Sequence, residues 1–340
     1  MVSFCIAAHN EAAVIGEKIT NTLSLNYPAD RIEIIIGSDG STDDTTRIVS
    51  RFNDRRIRLI AMERHGKNLT LNSIVEQTTG SILVFSDADA KLDKNALINL
   101  VSRYIDDRVG GVAGNIRYES GGRKNKGERM YWLIEHLQKL LLGKSGNATS
   151  ATGQLYSIRR KLYKPIPRGV TDDFVISAQV IAAGYRLSFA PDAIAYCPQA
   201  DTSSREFSRK VRIFSGGLRG VWHVRKLCNP FRYGFFSLQL ISHKLLRRLI
   251  VFPLILLIPS NAVLLSAGSI YRWCMIAQTV FHGFAMIGFL FSRTALSRFR
   301  LFALPLYFDL TYYAVLVALV EIFFGKKHDL WSVNRHHENG

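Results

Sequence analysis

Through the first 200 residues, short continuous apolar runs alternate with longer amphipathic stretches. Val2 to Ala8 reads as a buried strand, and a helix follows from near Glu11 to before Pro28. Ile32 to Ile36 is a second strand with a helix from about Asp43 to Phe52 behind it. Ile57 to Ala61 is a third, with a helix from about Asn68 to Gln77, and Ile82 to Phe85 is a fourth. Near-continuous apolar strands separated by helices predict an α/β fold whose mainly parallel sheet is covered on both faces. In such sheets ligands bind beyond the carboxyl ends of the strands, so chemistry is expected there.

The pattern changes after residue 201. Residues 202–248 interleave Phe207, Phe214, Trp222, Phe231, Tyr233, Phe235 and Phe236 with Arg and Lys, which predicts a basic, amphipathic helical segment at a bilayer interface. Three apolar segments follow at 249–270, 273–291 and 301–324, each close to the roughly 20 residues that cross a bilayer, and 326–340 forms a tail. Composition agrees with a membrane part: 48% of residues are hydrophobic and mean hydropathy is +0.07. The net charge of +17 is unevenly spread. Residues 1–204 carry 26 basic and 22 acidic side chains, whereas 205–340 carry 18 and 5. Basic residues beside apolar spans point to an anionic membrane surface rather than to nucleic acid.

Lys244, Arg247 and Arg248 before the first segment, and Arg293, Arg298 and Arg300 between the second and third, mark cytoplasmic ends. They place the first domain in the cytoplasm, on a multi-pass protein of the cell (inner) membrane. Three full crossings would export the tail, yet Lys326 and Lys327 hold it inside, so one segment is expected to be re-entrant or interfacial. Asp309, within the third segment, is expected to face other helices or a polar cavity. Cys5, Cys197, Cys228 and Cys274 show no C-x-x-C or zinc spacing, which fits a reducing compartment without a disulfide scaffold.

Acidic residues collect at the strand ends. Ser38-Asp39-Gly40-Ser41-Thr42-Asp43-Asp44 follows the second strand; Thr42 or Asp43 accounts for capping of the next helix, which leaves Asp39 to accept hydrogen bonds from a base or ribose. After the fourth strand, alternation turns Asp87 and Asp89 to the same side, where they could share a metal-diphosphate ligand with Mg2+ or Mn2+. Lys67, in Arg64-His65-Gly66-Lys67, either holds a phosphate at a helix start or lies in an ordinary surface loop. Thr171-Asp172-Asp173 opens a helix, and capping alone explains it as well as a general base does.

Taken together, Ile6-Ala7-Ala8-His9-Asn10-Glu11, Asp39-Gly40-Ser41, Gly66-Lys67, Asp87 to Asp89, Gly153 through Ile158-Arg159-Arg160 and Thr171-Asp172-Asp173 resemble the membrane-associated family 2 glycosyltransferases. That group includes the cellulose, hyaluronan and poly-N-acetylglucosamine synthases. Thr171-Asp172-Asp173 matches the family's T-E-D motif with Asp at its centre. The resemblance implies a Rossmann-like GT-A domain over residues 1–201 and inverting, metal-dependent transfer from a nucleotide-sugar, with uridine as the expected base, to a glycan or lipid-linked acceptor. It implies that Asp39 binds the base beside the Ala8, Asn10 and Glu11 backbone, and that Lys67 contacts the diphosphate. Asp87 then meets the ribose or the metal, Asp89 ligates the metal, and Asp173 takes the acceptor proton.

The chain departs from the family's Q-x-x-R-W at Arg209-Lys210-Val211-Arg212-Ile213, which keeps Arg212 for the diphosphate but lacks the Trp that stacks on an acceptor sugar. Many relatives carry an N-terminal membrane segment, whereas this sequence starts immediately before its first strand, so that either the segment is lacking or the start is truncated; the missing Trp is what bears on processivity. Non-processive transfer in surface-polysaccharide synthesis is therefore the expected function, with membrane lipids and export or assembly proteins as partners and no nucleic acid. The alternatives are a processive synthase and a non-catalytic nucleotide-sugar-binding scaffold.

Overall fold

A computed structural model describes residues 1–118, 147–197, 203–292, 294, 299–327 and 330. The chain builds β1 (Val2–Ala8), α1 (Ile15–Leu23), β2 (Ile32–Asp39), α2 (Thr45–Ser50), β3 (Ile57–Met62), α3 (Lys67–Glu76), β4 (Ile82–Phe85) and β5 (Lys91–Leu92). It continues with α4 (Ala96–Val101), β6 (Val109–Tyr118), β7 (Tyr156–Arg159), α5 (Asp172–Ala182) and β8 (Arg186–Cys197). These strands form one sheet in the order β3-β2-β1-β4-β7-β6-β8-β5. All seven residues of β1 are buried, as a central strand with helices on both faces requires. Phe4, Ile6 and Ala8 point into a core shared with Ile15, Ile19, Val49, Leu97 and Leu100 of α1, α2 and α4. Cys5 and Ala7 point the other way, towards α3 and α5. Each large apolar side chain buried in this way contributes roughly 1.5–3 kcal/mol.

The sheet is mixed. Strand β1 is parallel to β2 and β4, β2 to β3, and β6 to β8. Strand β7 is antiparallel to both β4 and β6, and β5 is antiparallel to β8. Strands β1, β2 and β4 therefore end at one edge, and antiparallel β7 starts there, with Tyr156 beside Phe85.

The remainder is helical: α6 (Ser203–His223), α7 (Phe235–Leu240), a π-helical stretch at Ile241–Leu246, α8 (Val251–Val263), α9 (Ser269–Leu290) and α10 (Arg300–Phe323). Helix α6 joins the two halves. Its Val211 packs on Ala314 and Ala318 of α10, with Phe207 and Phe214 alongside. Phe207 stacks on Tyr313 at 5.6 Å between centroids. Farther along α6, Val221 lies in the core cluster that contains α5. The aromatics expected at a bilayer interface therefore divide. Trp222, Phe231 and Phe235 are exposed, whereas Phe207 and Phe214 pack on α10 and Phe236 is buried against the sheet-side core.

Among the described residues, α9 and α10, with 22 and 24 residues, are long and apolar enough to cross a membrane. The segment expected as the first span, 249–270, holds a shorter helix. Helix α8 covers 13 residues, and turns from Leu264 to Ala267 end it. At 1.5 Å per residue its length is about 20 Å, short of the roughly 30 Å hydrocarbon core. Asp309 of α10 meets His282 Nδ1 of α9 at 3.0 Å, so it faces the neighbouring helix. The expected domain boundary at 201–202, together with Arg293, Arg298 and most of the 326–340 tail, lies outside the described residues.

Ala314 is fully buried where α6 and α10 touch. Replacing Ala314 by Leu should cost about 1–3 kcal/mol by overpacking, read as a lower melting temperature of the detergent-solubilised protein.

Candidate active site

At the shared strand edge, the Asp39 carboxylate is fully buried and held by backbone. His65 N–H donates to its Oδ1 at 2.6 Å, and Gly66 N–H approaches both oxygens at 3.0 Å. His9 Nδ1 lies 2.7 Å from the Asp39 carbonyl oxygen. Sequence reading left this carboxylate for a nucleotide base. In the structure its two oxygens accept from the backbone of the 64–67 loop. Gly40 permits that loop's approach: its φ is +60°, and a Cβ there would lie 2.8 Å from the Arg64 backbone nitrogen. Asn10, with φ +55°, accepts from Thr42 N–H at 2.8 Å, and Ala12 N–H donates to Asp43 at 3.0 Å. Asp43 Oδ1 also accepts from Thr45 N–H, although the N-cap position of α2 is Asp44 rather than Thr42 or Asp43. Ala8 and Glu11 are buried, and Glu11 N–H donates to Thr45 Oγ1 at 2.8 Å. Ala8, Asn10, Glu11 and Asp39 thus lie together at the ends of β1 and β2.

The Lys67 ammonium, at the start of α3, sits between two carboxylates: 2.7 Å from Asp87 Oδ1 and 3.2 Å from Asp172 Oδ2. Burial pulls the Lys67 pKa down, but Asp172 and Asp87 outweigh it and hold it above the usual lysine value. Burial in turn raises Asp87, and Lys67 overrides this to leave it below the usual carboxylate range. The Tyr156 hydroxyl donates to Asp172 Oδ2 at 3.1 Å while its ring stacks on Phe85 at 5.0 Å. Gly153 leaves room beside the pair, since a Cβ there would come within 3.0 Å of Asp87 Oδ2.

Capping logic left Thr171-Asp172-Asp173 undecided. Thr171 makes no side-chain capping bond, and Asp172 turns to Lys67 and Tyr156. Asp173 Oδ1 accepts from Phe174 N–H at 2.7 Å. Burial first, and then the Asp172 charge, push Asp173 up to about 6, with Lys244 and Lys67 opposing.

Three basic residues near this cluster were not recognised from sequence as parts of it, or only in part. Lys18 of α1 is buried and donates to Ser86 Oγ and the Ala90 carbonyl, both at 2.6 Å. It braces the turn that carries Asp87 and Asp89. Burial pushes Lys18 down to about 8, against the pull of those two carboxylates. Lys244 was read as a topology signal, yet its ammonium lies 5.0 Å from the Phe174 ring and acts on Asp173. Arg212 lies where Asp87 and Asp172 both act on it, although burial leaves it below the usual arginine value. A lysine interrupting an amphipathic helix face was the available signal for Lys18; nothing local marks Lys244.

Asp87 and Asp89 offer hard carboxylate oxygens on one turn, and no group of three or more His, Cys, Asp or Glu gathers among the described residues. That donor set fits a Mg2+ or Mn2+ ion whose shell is completed by substrate phosphates and water.

The mixed sheet, with a carboxylate turn after β4 and an acidic helix start joined to it through Lys67, has the GT-A type of fold. Residues 3–166 match the Glycosyl transferase family 2 model, so the chain carries a family 2 glycosyltransferase domain. It is 27% identical over 217 residues to the probable glycosyltransferase YdaM of Bacillus subtilis, covering 59% of this chain and 51% of that protein. It is 25% identical over 230 residues to a poly-beta-1,6-N-acetyl-D-glucosamine synthase of Staphylococcus aureus, covering 64% of this chain and 54% of the synthase. The chain thus spans about half the length of these curated relatives. The mannosyltransferase PcManGT of Pyrobaculum calidifontis, solved with GDP-Man and Mn2+, shares the fold with a TM-score of 0.73 at 21% identity, over 96% of this chain and 88% of that one.

Tyr156→Phe keeps the stack on Phe85 and removes one hydrogen bond to a charged acceptor. A loss of about 1.5–3 kcal/mol is expected, measured by thermal unfolding.

Proposed function

We propose that the protein is an inverting glycosyltransferase that takes a sugar from a nucleoside diphosphate sugar and adds it to a hydroxyl of a glycan or lipid-linked acceptor at the cytoplasmic face of the membrane. The observation that carries this reading is the single cluster in which Lys67 joins Asp87 to Asp172, next to Asp173. Asp173 takes the proton of the acceptor hydroxyl as its oxygen forms a bond to the anomeric carbon, and the bond from that carbon to the diphosphate breaks on the opposite side. A pKa raised to about 6 suits a base that works near neutral pH. Lys67 and Arg212 hold the diphosphate, and Asp39 acts by fixing the loop that presents Lys67. Asp89, with Asp87, would hold a divalent cation, which supplies positive charge against the diphosphate.

The GDP-Man and Mn2+ of the Pyrobaculum neighbour support a nucleotide-sugar donor and a divalent ion, and the synthase relatives support a place in polysaccharide synthesis. Ile213 stands where a processive enzyme would place its Trp, which supports single additions. Lys244, Arg247 and Arg248 beside the apolar helices support a cytoplasmic sheet domain anchored by α9 and α10.

A screen of UDP-, GDP- and dTDP-sugars with membranes containing the protein should give turnover with one nucleotide class, and EDTA should abolish it; silence with every donor would leave the scaffold reading. A long product ladder would instead indicate a processive synthase. Asp173→Asn should retain nucleotide binding and lose transfer. In the wild type, rate should fall about tenfold per pH unit below about 6, where the base is protonated. Because the folded state holds the Asp173 proton more tightly than the unfolded chain, stability falls as pH rises from about 4 to about 6. The Asn variant should therefore melt higher than wild type at pH 7 and not at pH 4.

A further inference from the structure

Arg248 is 8% exposed, and no carboxylate lies within ion-pair distance of it among the described residues. One guanidinium N–H donates to the Lys244 carbonyl at 2.6 Å, and the group lies 5.7 Å from the Phe214 ring. A buried cation without a counter-ion is costly, by several kcal/mol in a protein interior. Burial, reinforced by the adjacent Arg247, pushes Arg248 down to about 10, with no acid opposing the shift. Such a group is retained where a ligand brings the missing negative charge.

The surroundings say which ligand. Helix α6 passes with Gly217 against the guanidinium, and a Cβ there would come within 2.6 Å of its Nη2. The neighbouring glycines Gly216 and Gly220 lie against Thr171 and Phe174, on either side of Asp173. Lys244, one helical turn before Arg248, reaches the Phe174 ring and acts on Asp173. Lys244 thus links the Arg248 turn to the segment that carries Asp173. Asp87 acts on Lys67 and Arg212, but none of Asp87, Asp172 and Asp173 acts on Arg248, which stands apart from the Lys67 cluster. Directly after Arg248 comes α8, with Phe252, Ile255, Leu256 and Leu257 exposed. An anion at Arg248 thus sits where an apolar chain can run on along exposed apolar helix surface.

We propose that Arg248, with Lys244 beside it and the bare Gly217 surface opposite, is an anion site for a phosphate group carried on an apolar chain, which anchors a membrane-borne acceptor while its hydroxyl reacts at Asp173. The planar guanidinium matches phosphate geometry with paired N–H groups. The phosphate does not react; it sets the distance between the lipid and the hydroxyl. The assignment rests on the glycosyltransferase reading given above.

The test uses the full chain in dodecyl maltoside, titrated calorimetrically with n-dodecyl phosphate, with inorganic phosphate and with the nucleoside diphosphate of the active donor. Dodecyl phosphate should bind, and bind at least tenfold more weakly to Arg248→Met and to Gly217→Ala, which keeps the charge but displaces the guanidinium. Nucleotide binding should be unchanged in both. Removing an uncompensated buried charge should leave the melting temperature of Arg248→Met equal to or above wild type. Radiolabelled sugar should enter organic-extractable lipid with wild type and not with the variants, while slow donor hydrolysis persists. Equal dodecyl phosphate binding by wild type and Arg248→Met overturns the site, as does a lower melting temperature with unchanged binding. Inorganic phosphate binding as tightly as dodecyl phosphate overturns the lipid source. Absence of donor turnover by wild type overturns the glycosyltransferase reading, while the dodecyl phosphate titration still decides the anion site.

Discussion

The ammonium of Lys67 holds the site together. Asp87 follows β4, Asp172 begins α5, and nearly ninety residues separate them, yet both carboxylates lie within 3.2 Å of one nitrogen. Without a cation between them, two half-buried carboxylates at this distance would repel, and one would take up a proton. The cation needs a fixed origin, and Asp39 supplies it by gripping the His65 and Gly66 amides just before Lys67. Burial of Asp39 and exposure of the Lys67 site are thus one arrangement: the first carboxylate fixes a loop so that the next residue can bridge two others.

The second constraint is mechanical. Helix α6 packs on α10 through Val211, Ala314 and Ala318, and on the α5 side of the sheet domain through Val221 and its glycines. A helix that contacts both the long apolar helix α10 and the Thr171–Phe174 segment fixes where Asp173 stands relative to α10. The π-helical stretch that follows α7 carries Lys244 to the same segment. Basic residues that look like a membrane collar in sequence therefore serve two surfaces. Some, such as Lys244 and Arg212, lend charge to the carboxylate cluster; Trp222, Phe231 and Phe235 remain on the outside.

Much of the fold was legible because each sheet-domain element has a local cause. The runs Val2–Ala8, Ile57–Met62 and Ile82–Phe85 are apolar enough to be strands and are bounded by turn residues, and the helices between them show one apolar face. The antiparallel course of β7 was not legible, because strand direction follows from how a distant segment returns and leaves no mark in Tyr156–Arg159. The length of the first apolar segment misled for a related reason. Hydropathy counts apolar residues, whereas turns at Leu264–Ala267 limit how far the helix extends.

Residue types and order alone determined that a parallel-edged α/β domain precedes an apolar helical region, and that Asp87, Asp89 and Asp172–Asp173 stand at element ends. Those facts follow from periodicities of two and 3.6 residues, which are local. Only the tertiary structure decided which carboxylates share a cation, that Asp39 holds backbone amides, that Lys18 and Arg248 are buried, and that Lys244 acts on Asp173. Burial and charge pairing join residues far apart in sequence, and the field at any one group depends on that full arrangement.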